Sequence, residues 1–265
     1  MWIVIAVIAI VLIYIFLIFP APRRHPDSEL FNNLYIAHRG LHDDKAPENS
    51  LAAFKKAIEN GYAVEIDIHV TKDDKIVIFH DDDLNRVCGA DKLISNLTLE
   101  EIKNHHIFDT EHTIPTLEEL LEICTKNTLL VIEYKCDTKD YLRLCEKANE
   151  ILNKYSVRYI VQSFNPIAIR WFKKNRPDIC RGQLATDFTK ERPTSFIRIV
   201  CGYLLLNCLS RPDFISYDIK YNVLSTRICV MFGALKAGWT IRSQKELDAC
   251  KTKNNAYIFE NFIPN

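Results

Sequence analysis

Hydrophobic and polar positions fall into three patterns along the chain. Residues 1–19, MWIVIAVIAIVLIYIFLIF, form an unbroken apolar run without a charge, a glycine or a proline. At about 1.5 Å per residue a helix over this run measures roughly 28 Å, near the ~30 Å hydrocarbon core of a bilayer, so the pattern predicts a transmembrane helix over 1–19. A secretory signal peptide would need a basic leading segment and a small-residue cleavage site, and neither is clear. Residues 20–33, with Pro20, Pro22 and Pro26, read as a linker.

From Leu34 onward, short β-branched runs alternate with stretches of helical spacing. Strands are predicted at 34–38, 63–70, 75–80, 129–135, 158–164, 178–185, 213–219, 238–242 and 256–261. Between them, sets such as Leu51, Phe54 and Ile58, or Leu117, Leu120, Leu121 and Cys124, mark helices. Strand–helix alternation predicts a parallel sheet covered by helices. The connection TKDD at 71–74 is too short for a parallel crossover, so 63–70 and 75–80 should pair as an antiparallel hairpin. Removing the hairpin strand leaves eight. The prediction is an α/β fold, a TIM-type (β/α)8 barrel over 34–265 with a hairpin excursion after its second strand and the active site at the C-terminal ends of the strands. The segment 196–209, FIRIVCGYLLLNCL, is apolar for a barrel helix. It reads as a helix packed on the strands, with a membrane-contacting helix as the alternative.

Buried parallel strands should be almost purely apolar, which makes the carboxylates within them informative. Glu65 and Asp67 are two apart and share a face, as do Glu133 and Lys135. If these faces point into the barrel mouth, three carboxylates converge and repel, and a divalent cation relieves them. Oxygen ligands suit Mg²⁺ or Ca²⁺, and Mn²⁺ fits the same set. A structural Glu133–Lys135 ion pair beside two solvated acids is the plainer alternative. His38-Arg39 precedes the turn residue Gly40, and His80-Asp81 ends the hairpin strand. Two imidazoles with a guanidinium between them could transfer a phosphate ester, one as base, one as acid, with arginine clamping the phosphate. Asn49 or Ser50 caps the following helix, whose N-terminus would face a bound anion, and Glu48 lies beside the proposed metal and phosphate. His25, His42, His69, His105, His106 and His112 read as exposed loop or helix positions.

Composition changes the picture in two respects. Thirty-four basic and 34 acidic residues give no net charge, which disfavours a nucleic-acid partner. Nine cysteines without a C-x-x-C pair read as free thiols in a reducing compartment. With Arg23-Arg24 following the apolar run, the positive-inside tendency predicts a single-pass membrane protein whose barrel faces the cytoplasm.

The chain resembles the glycerophosphodiester phosphodiesterases. The resemblance rests on AHRG at 37–40, PENS at 47–50 followed by LAAF, G-x-x-x-E-x-D ending at Asp67, HDDDLNR at 80–86, IPTL at 114–117, IEYK at 132–135, QSF at 162–164 and GWT at 238–240. It implies a metal-dependent barrel enzyme that hydrolyses glycerophosphodiesters to glycerol 3-phosphate and an alcohol. It implies His38 and His80 as the acid/base pair and Glu65, Asp67 and Glu133 as metal ligands. Arg39 and Lys135 become phosphate contacts, with Glu48 and Trp239 at the substrate. Two departures bear on substrate preference: Ile241-Arg242 after GWT, and Glu260-Asn261 in place of an Asp-x-Pro ending. Lysophospholipids are the alternative substrate, and an inactive membrane-tethered binding module the remaining rival.

Overall fold

The computed structural model describes residues 1–22, 25–136, 139–190 and 195–265. Eight parallel strands close on themselves: β1 (Leu34–Ala37), β2 (Ala63–Val70), β4 (Leu129–Tyr134), β5 (Arg158–Ser163), β6 (Arg181–Ala185), β7 (Phe214–Asp218), β8 (Leu235–Ile241) and β9 (Ala256–Phe259). The barrel closes because β1 pairs with both β2 and β9. β3 (Ile76–Ile78) pairs antiparallel with β2 as the predicted hairpin, Ile78 opposite Ile68. β8 starts three residues before the run expected from sequence.

The helices are α1 (Trp2–Ile18), α2 (Leu51–Glu59), α3 (Asn85–Cys88), α4 (Leu99–Lys103), α5 (Leu117–Ile123), α6 (Tyr141–Leu152), α7 (Pro166–Asn175), α8 (Phe196–Gly202), α9 (Asn207–Ser210), α10 (Leu224–Met231) and α11 (Gln244–Cys250). Ser50 caps α2 by accepting from Ala53 N at 3.2 Å, and Thr116 closes a capping box with Glu119 at α5. The apolar segment 196–209 is two short helices rather than one, broken at Leu204, whose φ is 61°.

Alternation along each strand divides the core. Val64, Ile66, Ile68, Leu130 and Ile132 face outward and pack with helix residues such as Phe54, Leu120 and Leu144. Ile36, Ala63, Val131, Ile160, Ala237 and Ile258 face inward and fill the barrel's lower interior. Phe31, in the 3-10 turn Pro26–Phe31, is fully buried with them and stacks on Phe214 at 4.7 Å. The inward positions therefore predetermine what reaches the mouth: Ala63 is followed by Glu65 and Asp67, Val131 by Glu133, Ile36 by His38 and Ile258 by Glu260.

The expectation of a transmembrane helix over 1–19 needs correction. Phe19 is already extended (φ −58°, ψ 129°) before Pro20, so the helix has 17 residues. That is about 25 Å at 1.5 Å per residue, short of a ~30 Å hydrocarbon core. Its last turn belongs to the barrel, with Ile18 fully buried. Among the described residues no helix is long and apolar enough to cross a membrane. Residues 1–13 are nevertheless exposed and apolar throughout.

Candidate active site

Strand register brings the carboxylates together. Asp67 lies beside Glu133 across the β2–β4 pair, and Glu65 is one inward position below. Ligand oxygens of Glu65, Asp67 and Glu133 lie within 4.8 Å of one another, all three residues buried. Lys135 Nζ stands 2.6 Å from Glu133 Oε1 and 3.1 Å from Asp67 Oδ1. Neither oxygen has an aligned hydrogen bond, so their lone pairs remain available to a cation. The all-oxygen donor set fits a hard divalent ion.

Burial and the charges of Asp67 and Glu133 push Glu65 well above the usual carboxylate range. Burial also raises Glu133, to about 7, against the pull of Lys135. Asp67 feels the same burial, but Lys135, His80 and Arg39 together hold it below its ordinary value. Burial and mutual repulsion thus oppose full ionisation of the three carboxylates, and a counter-ion would relieve both.

Arg39 reaches this cluster through a left-handed backbone turn, φ 56°, which swings it from the strand direction into the mouth. Its N–H donates to Glu65 Oε2 at 3.0 Å, and its Nη1 donates to Glu48 Oε1 at 2.7 Å. Gly40, φ 81°, makes the next step of the turn; a Cβ there would come within 2.8 Å of the Ala53 carbonyl carbon. Glu48 also accepts from Arg86 Nη2 at 2.7 Å. It orders the two arginines, in addition to lining the cavity. Asn49 Nδ2 donates to Asp67 Oδ2 at 3.0 Å, so Asn49 orients a carboxylate.

Each histidine has its own acid. His80 Nδ1 bonds Asp81 Oδ1 at 2.6 Å, and Arg86 Nε donates to Asp81 Oδ2 at 2.6 Å. His38 Nδ1 bonds Glu260 Oε2, and Arg242 Nε lies 2.7 Å from Glu260 Oε1. The second pair exists because Ile36 and Ile258 are register partners in β1 and β9, which puts the next inward residues side by side. Burial lowers both imidazoles below their ordinary pKa, while the Glu260 hydrogen bond raises His38 and the Asp67 charge raises His80. With Nδ1 occupied, Nε2 of each ring is the nitrogen left for substrate.

A cavity of about 360 Å³ joins these groups, lined by His38, Arg39, Glu65, His80, Glu133 and Lys135, with Trp239 in its wall. Trp239 and Phe164, edge to face at 5.9 Å, also border a second, apolar chamber of about 370 Å³ reached by Phe188, Ile197 and Cys201. Sequence reasoning missed Glu260, Asp81 and Arg86 as partners; the inward step from Ile258 was the available signal for Glu260. It also misplaced most of the histidines read as exposed, since only His106 is: His105 and His112 are half-buried, and the His25 side chain, 8% exposed, accepts from Asp27 N at the start of the 3-10 turn. His42 lines the catalytic cavity, 3.9 Å from Glu260, and His69 is buried on β2, where desolvation and the Lys135 charge lower it to about 4.

A profile of the glycerophosphoryl diester phosphodiesterase family matches residues 38–254. The chain belongs to that family. A glycerophosphodiester phosphodiesterase of Caldanaerobacter subterraneus is 37% identical over 163 residues, 57% of this chain and 66% of the relative. A human protein named a lysophospholipase D is 27% identical over 160 residues, 56% of this chain and 49% of its own length. Among solved structures, an Oleispira antarctica phosphodiesterase in complex with sn-glycerol 3-phosphate superposes with a TM-score of 0.72 at 25% identity, covering 87% of this chain and 94% of that one. The family match and the superposition agree with the closed eight-stranded barrel.

Proposed function

We propose that the protein hydrolyses glycerophosphodiesters to sn-glycerol 3-phosphate and an alcohol. The observation that carries this reading is one 360 Å³ cavity lined by two acid-backed histidines, Arg39, Lys135, Glu65 and Glu133, with the buried Asp67 within 4.8 Å of both carboxylates. Glu65, Asp67 and Glu133 would hold one divalent cation, Mg²⁺ or Ca²⁺ with Mn²⁺ also suited, which supplies Lewis acidity and offsets the carboxylates' mutual repulsion.

The chain's own residues do the rest. Arg39 and Lys135 stabilise negative charge on the phosphoryl oxygens as it grows. One imidazole Nε2 takes the proton of the attacking hydroxyl and the other gives a proton to the departing alcohol. With the glycerol 2-hydroxyl as nucleophile, the step is intramolecular and gains effective molarity; it yields a 1,2-cyclic phosphate that water opens with the histidine roles exchanged. A diester carrying hydrogen in place of that hydroxyl tests the route, since its rapid cleavage would exclude the cyclic intermediate.

The decisive assay is sn-glycerol 3-phosphate release from glycerophosphocholine by the full chain, with Mg²⁺, Mn²⁺, Ca²⁺ or chelator, beside His38→Ala and His80→Ala. Metal-dependent release lost in both variants supports the reading; no release with any metal overturns it for simple diesters.

The apolar chamber favours a second substrate class, lysophospholipids, whose acyl chain would lie beyond Trp239 while the phosphate lies before it. Comparing glycerophosphocholine with its monoacyl form decides between them. The exposed apolar α1 supports a place on a lipid surface, and nine cysteines, none in a disulfide, support the reducing, cytosolic side. Loss of activity from the membrane fraction of lysed cells would refute that placement.

A further inference from the structure

α1 runs beside α10 and leaves the barrel at its catalytic end. The direction follows from its contacts. Because α10 follows β7, it starts at the catalytic end and returns to the opposite end, where Pro212 and Phe232 lie. There Ala21 N donates to Pro212 O at 2.9 Å, and the Phe19 and Phe232 rings meet at 4.9 Å. Ile18 O then accepts from Asn207 Nδ2 at 3.1 Å and from Cys229 Sγ at 3.1 Å. One turn earlier in α1, Tyr14 meets Ser225 in the first turn of α10. Reading backward from residue 21 to residue 14 thus climbs from the far end of the barrel to the catalytic end.

Residues 1–13 continue that climb, all exposed. At 1.5 Å per residue they extend roughly 20 Å past Tyr14. This projecting cylinder carries no polar side chain on any face. A protein groove covers one stripe of a helix, whereas a helix apolar all round is matched by a hydrocarbon phase. Other bare apolar residues stand at the same end: Phe196 (81% exposed) and Ile197 (56%) at the start of α8, and Leu224 (61%) at the start of α10. Ile197 also lines the apolar chamber behind Trp239, so the bare rim and the chamber are continuous.

We infer that the barrel stands with its catalytic end against a phospholipid bilayer. α1 enters the lipid along the barrel's length without crossing it, and the Ile197 chamber opens toward the acyl layer, so that a substrate with an apolar tail enters from the lipid. The inference rests on the lipid-surface placement proposed above and adds to it the face that meets the lipid.

The test uses the full chain with phosphatidylcholine vesicles and an environment-sensitive fluorescent amino acid at one of two positions. Phe196 marks the catalytic end. Met231, 82% exposed at the last residue of α10, marks the other. The expected result is sedimentation with vesicles and a blue-shifted emission at position 196 with none at 231. In the unlabelled protein, Phe196→Asp with Leu224→Asp should weaken vesicle partition at least about tenfold, since burying each apolar side chain favours the lipid by that much or more. Turnover of soluble glycerophosphocholine should be unchanged. A shift at 231 and not at 196 would overturn the orientation while leaving the lipid placement standing. Absence of sedimentation would overturn both, without touching the hydrolytic reading, which the soluble substrate reports separately. A blue shift at 196 without vesicles, together with a dimeric mass, would assign the surface to a second copy and overturn the proposal.

Discussion

Replacing Glu260 with glutamine removes a charge from behind His38 while keeping the side chain's shape. Glu260 and His38 side chains are only 11% and 14% exposed, so solvent screens their interaction weakly. A hydrogen bond to a charged group contributes about 1.5–3 kcal/mol. If that stabilisation is realised when His38 carries the proton in the transition state, its loss lowers kcat/KM by about 10- to 150-fold, at ~1.4 kcal/mol per decade. The pH dependence has a definite sign. Burial lowers the His38 pKa, the Glu260 hydrogen bond raises it, and Arg39 lowers it. Without the carboxylate the pKa falls further and the limb that needs protonated His38 moves to lower pH, so from pH 5 to pH 8 the loss grows only below the ordinary imidazole value of about 6.5 and is constant above it. The assay is sn-glycerol 3-phosphate release from glycerophosphocholine across that range, with thermal unfolding as the folding control. Glu260→Asp should recover part of the rate. A glutamine variant within twofold of the parent at every pH, equally stable, would refute Glu260 as the residue positioning His38.

Because burial holds Glu65 and Glu133 above the ordinary carboxylate range, Glu133 to about 7, cation binding at pH 6 should release protons, and fewer as pH rises past 8; calorimetry in buffers of different ionisation enthalpy reads the number. Asp67→Asn should abolish both the heat of Mg²⁺ binding and the rise in melting temperature that the cation gives the parent. Gly182→Ala would place a methyl 2.2 Å from the Phe214 ring, overpacking the barrel interior at a cost of about 1–3 kcal/mol in urea unfolding. Phe31→Ala empties a fully buried site in the same cluster and should cost about 3–5 kcal/mol, visible as an earlier urea midpoint with catalytic groups undisturbed.

The sequence by itself determined much of this protein, because strand periodicity is a local property. Alternation with a period of two fixed which residues of 63–70 and 129–135 share a face, and the four-residue connection at 71–74 forced the hairpin. The polar residues on those faces, Glu65, Asp67 and Glu133, were conspicuous against an apolar background, and His38, Arg39 and His80 fell at strand ends where a barrel gathers its chemistry. Tertiary structure alone decided how these groups are held. Glu260 acts on His38 across 222 residues, a pairing made only when β9 closes on β1; until the register is known, no local pattern links them. Arg39 enters the mouth through a left-handed turn that residue spacing does not reveal. His69 is buried because the hairpin folds over it, and 196–209 divides in two because Leu204 turns inward to the core. At the N-terminus, hydropathy measured an apolar run, but packing set its effective length. Barrel contacts of Ile18 and the extended backbone at Phe19 end the helix there, and a one-dimensional count of apolar residues contains no information about which of them the rest of the fold has already claimed.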